Sequence, residues 1–185
     1  MKIIVDAGHG PETRGKRSPD GTMREYHFNA GVAATLKKLL LQAGQTVIFT
    51  HQADRDVPLY ERVRLANRMK GDVFVSIHAN AFGTAFNSAG GIETYVYTRP
   101  LMESTLLADA IHSRLVSTAG LRDRGIKKAD FAVLRETVMP AVLLECGFMT
   151  NRGELALLKS GSYRQRCADA IAAGLLSYGR KSGCC

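Results

Sequence analysis

The chain has 185 residues, of which 45% are hydrophobic and 23% charged. That is the make-up of one globular domain whose core needs no covalent staples. Its formal net charge of +8 favours an anionic partner, either nucleic acid or an anionic cell wall. Aromatics are only 7% and no basic–aromatic stripe is present, which argues against nucleic acid. No apolar run approaches the ~20 residues that span a bilayer. The four cysteines show no C-x-x-C metal spacing and no disulfide framework, so a metal here must use His and Glu. The N-terminus opens directly on a strand, so synthesis in the cytoplasm without a signal peptide is expected.

In chain order, Lys2 to Ala7 reads as a short apolar strand, and residues 11–22, rich in Gly, Pro, Ser and charge, as a loop. From Glu25 to Ala43 the residues Phe28, Val32, Leu36, Leu39, Leu40 and Ala43 share one helical face, and Gly44 supplies a C-cap. Thr46 to Thr50 is a second strand. Pro58 starts a helix with Leu59, Val63 and Ala66 inward. Asp72 to His78 is a third strand, residues 81–91 a Gly/Ser/Asn-rich loop, and Ile92 to Tyr97 an alternating strand. Met102 to Ala119 predicts a helix with Leu106, Leu107, Ala110, Ile111 and Leu115 as its core stripe. Two more strands are expected at Ala132 to Leu134 and Ala141 to Cys146. Asn151 caps a short helix, and Ser162-x-x-Gln165 forms a capping box for the last helix, which buries Cys167, Ala170, Ile171, Gly174, Leu175 and Tyr178. Residues 1–180 form the domain and 181–185 a short tail. The alternation predicts a single α/β domain, a mostly parallel twisted sheet of about six strands with helices on both faces.

Three apolar runs end in residues able to bind a metal or move a proton. Ile3-Ile4-Val5 leads into Asp6-Ala7-Gly8-His9-Gly10, Val73 to Ile77 into His78-Ala79-Asn80, and Ala141 to Leu144 into Glu145-Cys146-Gly147-Phe148. Ligands of open α/β sheets collect at the carboxyl ends of strands. With Glu25 between the first two runs, this layout is that of a zinc hydrolase, His9, Glu25 and His78 as ligands and Glu145 as spare carboxylate. Each has a bland alternative. His9 could be incidental to a glycine turn, with Asp6 fixing its tautomer otherwise. Glu25 fits a capping box with Thr22. His78 could be a hydrogen-bonded core residue, and Asn80 could either shape a turn or hold a substrate carbonyl. Glu145 is the most telling, because an ionised carboxylate in a buried strand costs several kcal/mol unless paired. A salt bridge to one of the arginines is its alternative. His27, His51 and His112 have no partner pattern and read as solvated surface.

These segments, in this order, resemble the zinc-dependent N-acetylmuramoyl-L-alanine amidases of bacterial cell-wall turnover (the Amidase_3 family). Further matching stretches are Leu59-x-x-Arg62 with Ala66-Asn67, Gly90 to Tyr95, and Arg124 to Lys127 through Val133 to Thr137 and on to Leu143. The resemblance spans Lys2 to about Tyr178. It implies one zinc held by His9, Glu25 and His78, with Glu145 as catalytic acid/base. The implied substrate is peptidoglycan, cut between the lactyl group of N-acetylmuramic acid and L-alanine by an autolysin or endolysin that reaches the wall by lysis or a holin-type route. Anionic wall polymers are expected to meet the basic surface, and a monomer is expected. Two departures, Pro11 after His9-Gly10 and His51 after Thr50, bear on loop shape and touch no implied ligand.

Overall fold

The structure, a computed structural model, describes residues 1–182. Its organising feature is the two-residue period of three neighbouring strands, β1 (Lys2–Ala7), β3 (Val73–Asn80) and β6 (Ala141–Phe148). β1 pairs with β3 and β3 with β6, all parallel, so their carboxyl ends share one edge. On one face stand Ile3, Val5, Val73, Val75, Ile77, Val142, Leu144 and Cys146, which join the main core. The other face grades along the strand direction. It begins with Ile4, Phe74 and Ala141 in a smaller apolar cluster. Asp6 then lies in register with Ser76, and finally His78 with Glu145. The same alternation that builds the core therefore delivers polar side chains to the carboxyl edge.

The main core is covered by α1 (Glu25–Gln42), α3 (Met102–Ala119) and α6 (Gly161–Ser182), with α5 (Arg152–Lys159) packed on α6. α2 (Leu59–Met69) and the single turn α4 (Ala132–Arg135) cover the smaller cluster. Six strands run in the order β2-β1-β3-β6-β4-β5, with β2 at Thr46–Phe49, β4 at Ile92–Tyr97 and β5 at Asp123–Ala129. Among the sheet's strand pairings in the described residues, only β4–β6 is antiparallel. The expected single α/β domain with helices on both faces is what forms.

Several local expectations are corrected. Ala132 to Leu134 is the helical turn α4, in which Leu134 N and Arg135 N both donate to Phe131 O at 2.9 Å. The sixth strand is instead β5, an edge strand of half-exposed residues whose sequence Asp-Arg-Gly-Ile-Lys-Lys-Ala carries no apolar run to announce it. α1 begins at Glu25 without a side-chain cap, since the Thr22 hydroxyl donates to Asp20 at 2.8 Å; the capping box does not form. Nor does the second one: Ser162 already lies inside α6, and Gln165 donates one turn ahead to Asp169 at 2.9 Å. Leu106 is 55% exposed, so the α3 stripe runs through Leu107, Ala108, Ile111 and Leu115, with the half-buried Ala110 packed against it as expected. Leu59 is 56% exposed, and Ala43 sits past the end of α1. Asn151 does cap α5, accepting from Gly153 N and Glu154 N. Cys146 and Cys167 are buried free thiols. α6 continues through residues 181 and 182; the rest of the expected tail, with Cys184 and Cys185, lies outside the described residues.

Candidate metal centre

The turn after β1 holds His9 at a φ of 62°, a left-handed conformation uncommon for a residue with a side chain. Its two glycine neighbours make that turn fit. A Cβ on Gly8 would sit 2.0 Å from the His78 ring, and one on Gly10 would sit 2.7 Å from the Asp56 Cα. Gly8 N donates to Ile77 O at 3.0 Å, and the fully buried Asn29 donates to Gly8 O at 3.0 Å, so the turn is tied to β3 and to α1. Gly8 thus lets the His78 imidazole lie over the backbone that carries His9. The two rings meet edge to face with centroids 5.0 Å apart.

Glu25, at the first position of α1, stands between them. Its Oε1 lies 2.9 Å from His78 Nδ1 and its Oε2 lies 3.2 Å from His9 Nε2. Burial alone would push this carboxyl up; its hydrogen bonds to His78 and His9, with their charge, outweigh burial and hold it well below the usual range. For His78, burial acts against the charged form, but the Glu25 carboxylate outweighs it and the ring is held above its ordinary value. The donor atoms of His9, Glu25 and His78 all lie within 4.8 Å of one another. Donors about 2.0–2.2 Å from a tetrahedral zinc stand about 3.3–3.6 Å apart, so this donor set fits such an ion with small movements. Two imidazoles and one carboxylate are also the ligand chemistry of a hydrolytic zinc site.

Glu145 lies in register with His78 on one side and Glu93 on the other. Its Oε2 is buried with no hydrogen-bond partner among the described residues. Burial pushes its carboxyl up to about 8; His78 counteracts this, while Glu25 and Glu93 add to it. The salt-bridge alternative fails: among the described residues Glu145 pairs with no arginine, and Arg124 Nε at 2.5 Å and Lys127 Nζ at 2.6 Å both meet Glu93 instead. Asn80 stands at the rim with both ends of its amide engaged, donating to Glu93 at 3.0 Å and accepting from Ala81 N at 2.7 Å.

All five residues line one cavity of about 520 Å³. Leu59, Phe131, Ala132 and Val133 give it an apolar wall, and Lys16 places a cation at its edge.

Asp6 does not touch His9. It accepts from Ser76 Oγ at 2.6 Å, from Arg62 Nη1 at 2.7 Å and from the Thr50 hydroxyl. Arg62, 2% exposed, also donates to Val57 O, Ala7 O and His9 O. Sequence reasoning gave Arg62 and Ser76 no role; the signal was the buried carboxylate Asp6, which needed a cation. His51 and His112 are not solvated surface. His51 Nδ1 accepts from Ala7 N at 3.1 Å, and burial lowers its pKa to about 4. His112, 7% exposed, bridges Thr94 and Asp123, each at 2.9 Å. His27 is exposed, as expected.

A candidate metal site beside a buried carboxyl, at the carboxyl edge of an α/β sheet, is what fold and site define. The sequence profile described as N-acetylmuramoyl-L-alanine amidase (Amidase_3) matches residues 3–177. The chain belongs to that family. The crystal structure of an N-acetylmuramoyl-L-alanine amidase from Clostridium difficile 630 is 37% identical, covers 98% of both chains and superposes with a TM-score of 0.93. N-acetylmuramoyl-L-alanine amidase CwlM of Bacillus licheniformis is 37% identical over 177 residues, 95% of this chain and 67% of that protein. An uncharacterised cell wall amidase of Bacillus anthracis is 38% identical over 190 residues, and there this chain spans only 35% of the relative's length.

The raised Glu145 carboxyl has a consequence for stability. Unfolded, it titrates near its ordinary 4.5; folded, near 8, so between these values the fold binds the extra proton. That contribution is fully present below about pH 4.5 and is lost as pH rises through about 8. The metal-stripped Glu145→Gln variant should therefore gain melting temperature relative to the metal-stripped parent on going from about pH 5 to about pH 9. An unchanged difference between the two pH values would show that Glu145 is solvated.

Proposed function

We propose that this chain is a zinc-dependent peptidoglycan hydrolase that cleaves the amide joining the lactyl group of N-acetylmuramic acid to the L-alanine of the stem peptide. The observation that carries the reading is the pairing of both Glu25 oxygens with His9 and His78 beside Glu145, whose buried Oε2 has no partner among the described residues. His9, Glu25 and His78 would hold the zinc, which would supply Lewis acidity to the amide carbonyl and lower the pKa of water. Glu145, with a carboxyl poised near neutrality, takes the proton of the attacking water and returns it to the departing alanine nitrogen. Leu59 and Phe131, on one wall of the cavity, offer apolar contact to the lactyl and alanine methyls. Asn80, tied to Glu93, shapes the rim over which the peptide passes.

Two variants separate these roles. His78→Ala should lose zinc on metal analysis, where the parent carries about one per chain. Glu145→Gln should keep its zinc but lose at least ~10²–10⁴-fold in amidase turnover on a soluble muropeptide, the usual contribution of a general acid–base group. Metal loss in Glu145→Gln with measurable turnover would make Glu145 a ligand and move the base elsewhere.

The wall is the proposed site of action, with the basic surface contributing to attachment. Lys16 lines the cavity, and its loop neighbours Arg14 and Arg17 are exposed. Among the described residues no helix is long and apolar enough to cross a membrane. Salt shortens the Debye length from ~10 Å at 0.1 M to ~3 Å at 1 M. Binding of the Glu145→Gln protein to anionic walls should weaken across that range in a pelleting assay; constant binding would remove charge from the account.

A further inference from the structure

Ser76 is fully buried in an otherwise apolar stretch of β3, and Asp6 in register with it is 2% exposed. Neither is one of the three candidate ligands, yet the two form a chain that ends on the His78 ring. Ser76 Oγ lies 2.6 Å from Asp6 Oδ2 and 3.1 Å from His78 Nε2, while His78 Nδ1 faces Glu25 at 2.9 Å. We propose that Asp6 and Ser76 are positioning residues that commit the Nε2 proton of His78 to Ser76 and so present Nδ1 as the ring's metal-binding nitrogen. The inference rests on the metal centre proposed above and adds to it which nitrogen is used and what enforces the choice.

The argument is a count of protons. The Arg62 charge and the hydrogen bonds from Ser76 and Thr50 overcome burial and keep Asp6 ionised, so it only accepts. Its Oδ1 is occupied by Arg62 and Thr50, which leaves Oδ2 for Ser76. Ser76 has a single hydroxyl proton. If it pointed at His78, two acceptors would face each other 2.6 Å apart in a site with no exposure. The proton therefore goes to Asp6, and Ser76 Oγ can only accept from His78. Nε2 must then carry a hydrogen, and the nitrogen that can give up its proton to a metal is Nδ1. Arg62 fixes the geometry from the far side, because the same guanidinium that orients Asp6 also grips the carbonyls of Ala7 and His9. One buried cation thus sets both the tautomer of His78 and the turn that carries His9. Orientation of a ligand histidine through its second nitrogen is a general device, and loss of such a partner typically weakens metal binding ~10–100-fold.

Ser76→Ala removes one buried oxygen and leaves the Arg62–Asp6 pair intact, so it is the primary variant. Zinc affinity, read by competition with a chromophoric chelator, should fall ~10–100-fold against the parent. Asp6→Asn tests the direction of the relay. Its amide can donate to Ser76, turning the hydroxyl proton towards His78 and favouring the wrong nitrogen, so its zinc affinity should fall at least as far. Should Asp6→Asn fail to fold, the second measurement is nitrogen NMR of the zinc-loaded parent labelled in its histidines. There His78 should show a metal-shifted Nδ1 and a slowly exchanging Nε2 proton, and that proton should exchange faster in Ser76→Ala. Zinc on Nε2, or a Ser76→Ala affinity within twofold of the parent, overturns the relay while leaving the metal centre standing. A parent protein that takes up no zinc overturns both.

Discussion

The arrangement depends first on one buried ion pair, Arg62 with Asp6, both 2% exposed and 2.7 Å apart. Neither charge is tolerable there alone, and removing one partner of such a pair typically costs ~3–5 kcal/mol. Together they do what an apolar contact could not. Arg62 spends its donors on Asp6 and on the carbonyls of Val57, Ala7 and His9, which joins α2 and the loop before it to the exit of β1. Asp6 collects Thr50 from the end of β2 and Ser76 from β3. The pair is a knot at the carboxyl edge of three adjacent strands, beside the His9, Glu25 and His78 cluster that could hold a metal.

Above that knot, the site exploits a division of labour between the faces of the sheet. The face under α1, α3 and α6 is apolar along the length of β1, β3 and β6. The opposite face changes from Ile4 and Phe74 to Asp6 and Ser76 and then to His78 and Glu145 as the strands reach their ends. Glu25 arrives from α1 and closes the set. Glu145 is the exception in that series, and the proposed chemistry rests on it. Its neighbours across both strands, His78 and Glu93, already have partners, so its buried oxygen has no polar side chain to satisfy it and its carboxyl stays near neutrality. A carboxylate so placed destabilises the protein on its own and suits proton transfer.

What was legible in the sequence follows from that geometry. His9, His78 and Glu145 each end an apolar run, so strand periodicity alone brings them to one edge. Glu25 is legible only in combination, because alone a glutamate three residues after Thr22 reads better as a helix cap; the pairing with His9 and His78 reverses that, and the Thr22 hydroxyl indeed goes to Asp20. Arg62 and Ser76 gave no local signal, since an arginine on a helix and a serine in a strand are both ordinary; their meaning lies in contacts 56 and 70 residues away. His51 and His112 were misread for the same reason, their partners Ala7, Thr94 and Asp123 being remote in sequence. β5 was missed because an edge strand built of half-exposed charged residues has no core face to leave a pattern.

The central claim, that this edge of the sheet forms one hydrolytic centre acting on the muramoyl–alanine amide, is tested most directly on the wall itself. Purified sacculi digested with the zinc-loaded protein should release peptides with a new free amino group on L-alanine and leave glycan strands that retain the lactyl group and gain no reducing ends, as read by mass spectrometry. New reducing sugar ends, or cleavage elsewhere in the stem peptide with the lactyl–alanine amide intact, would contradict the account.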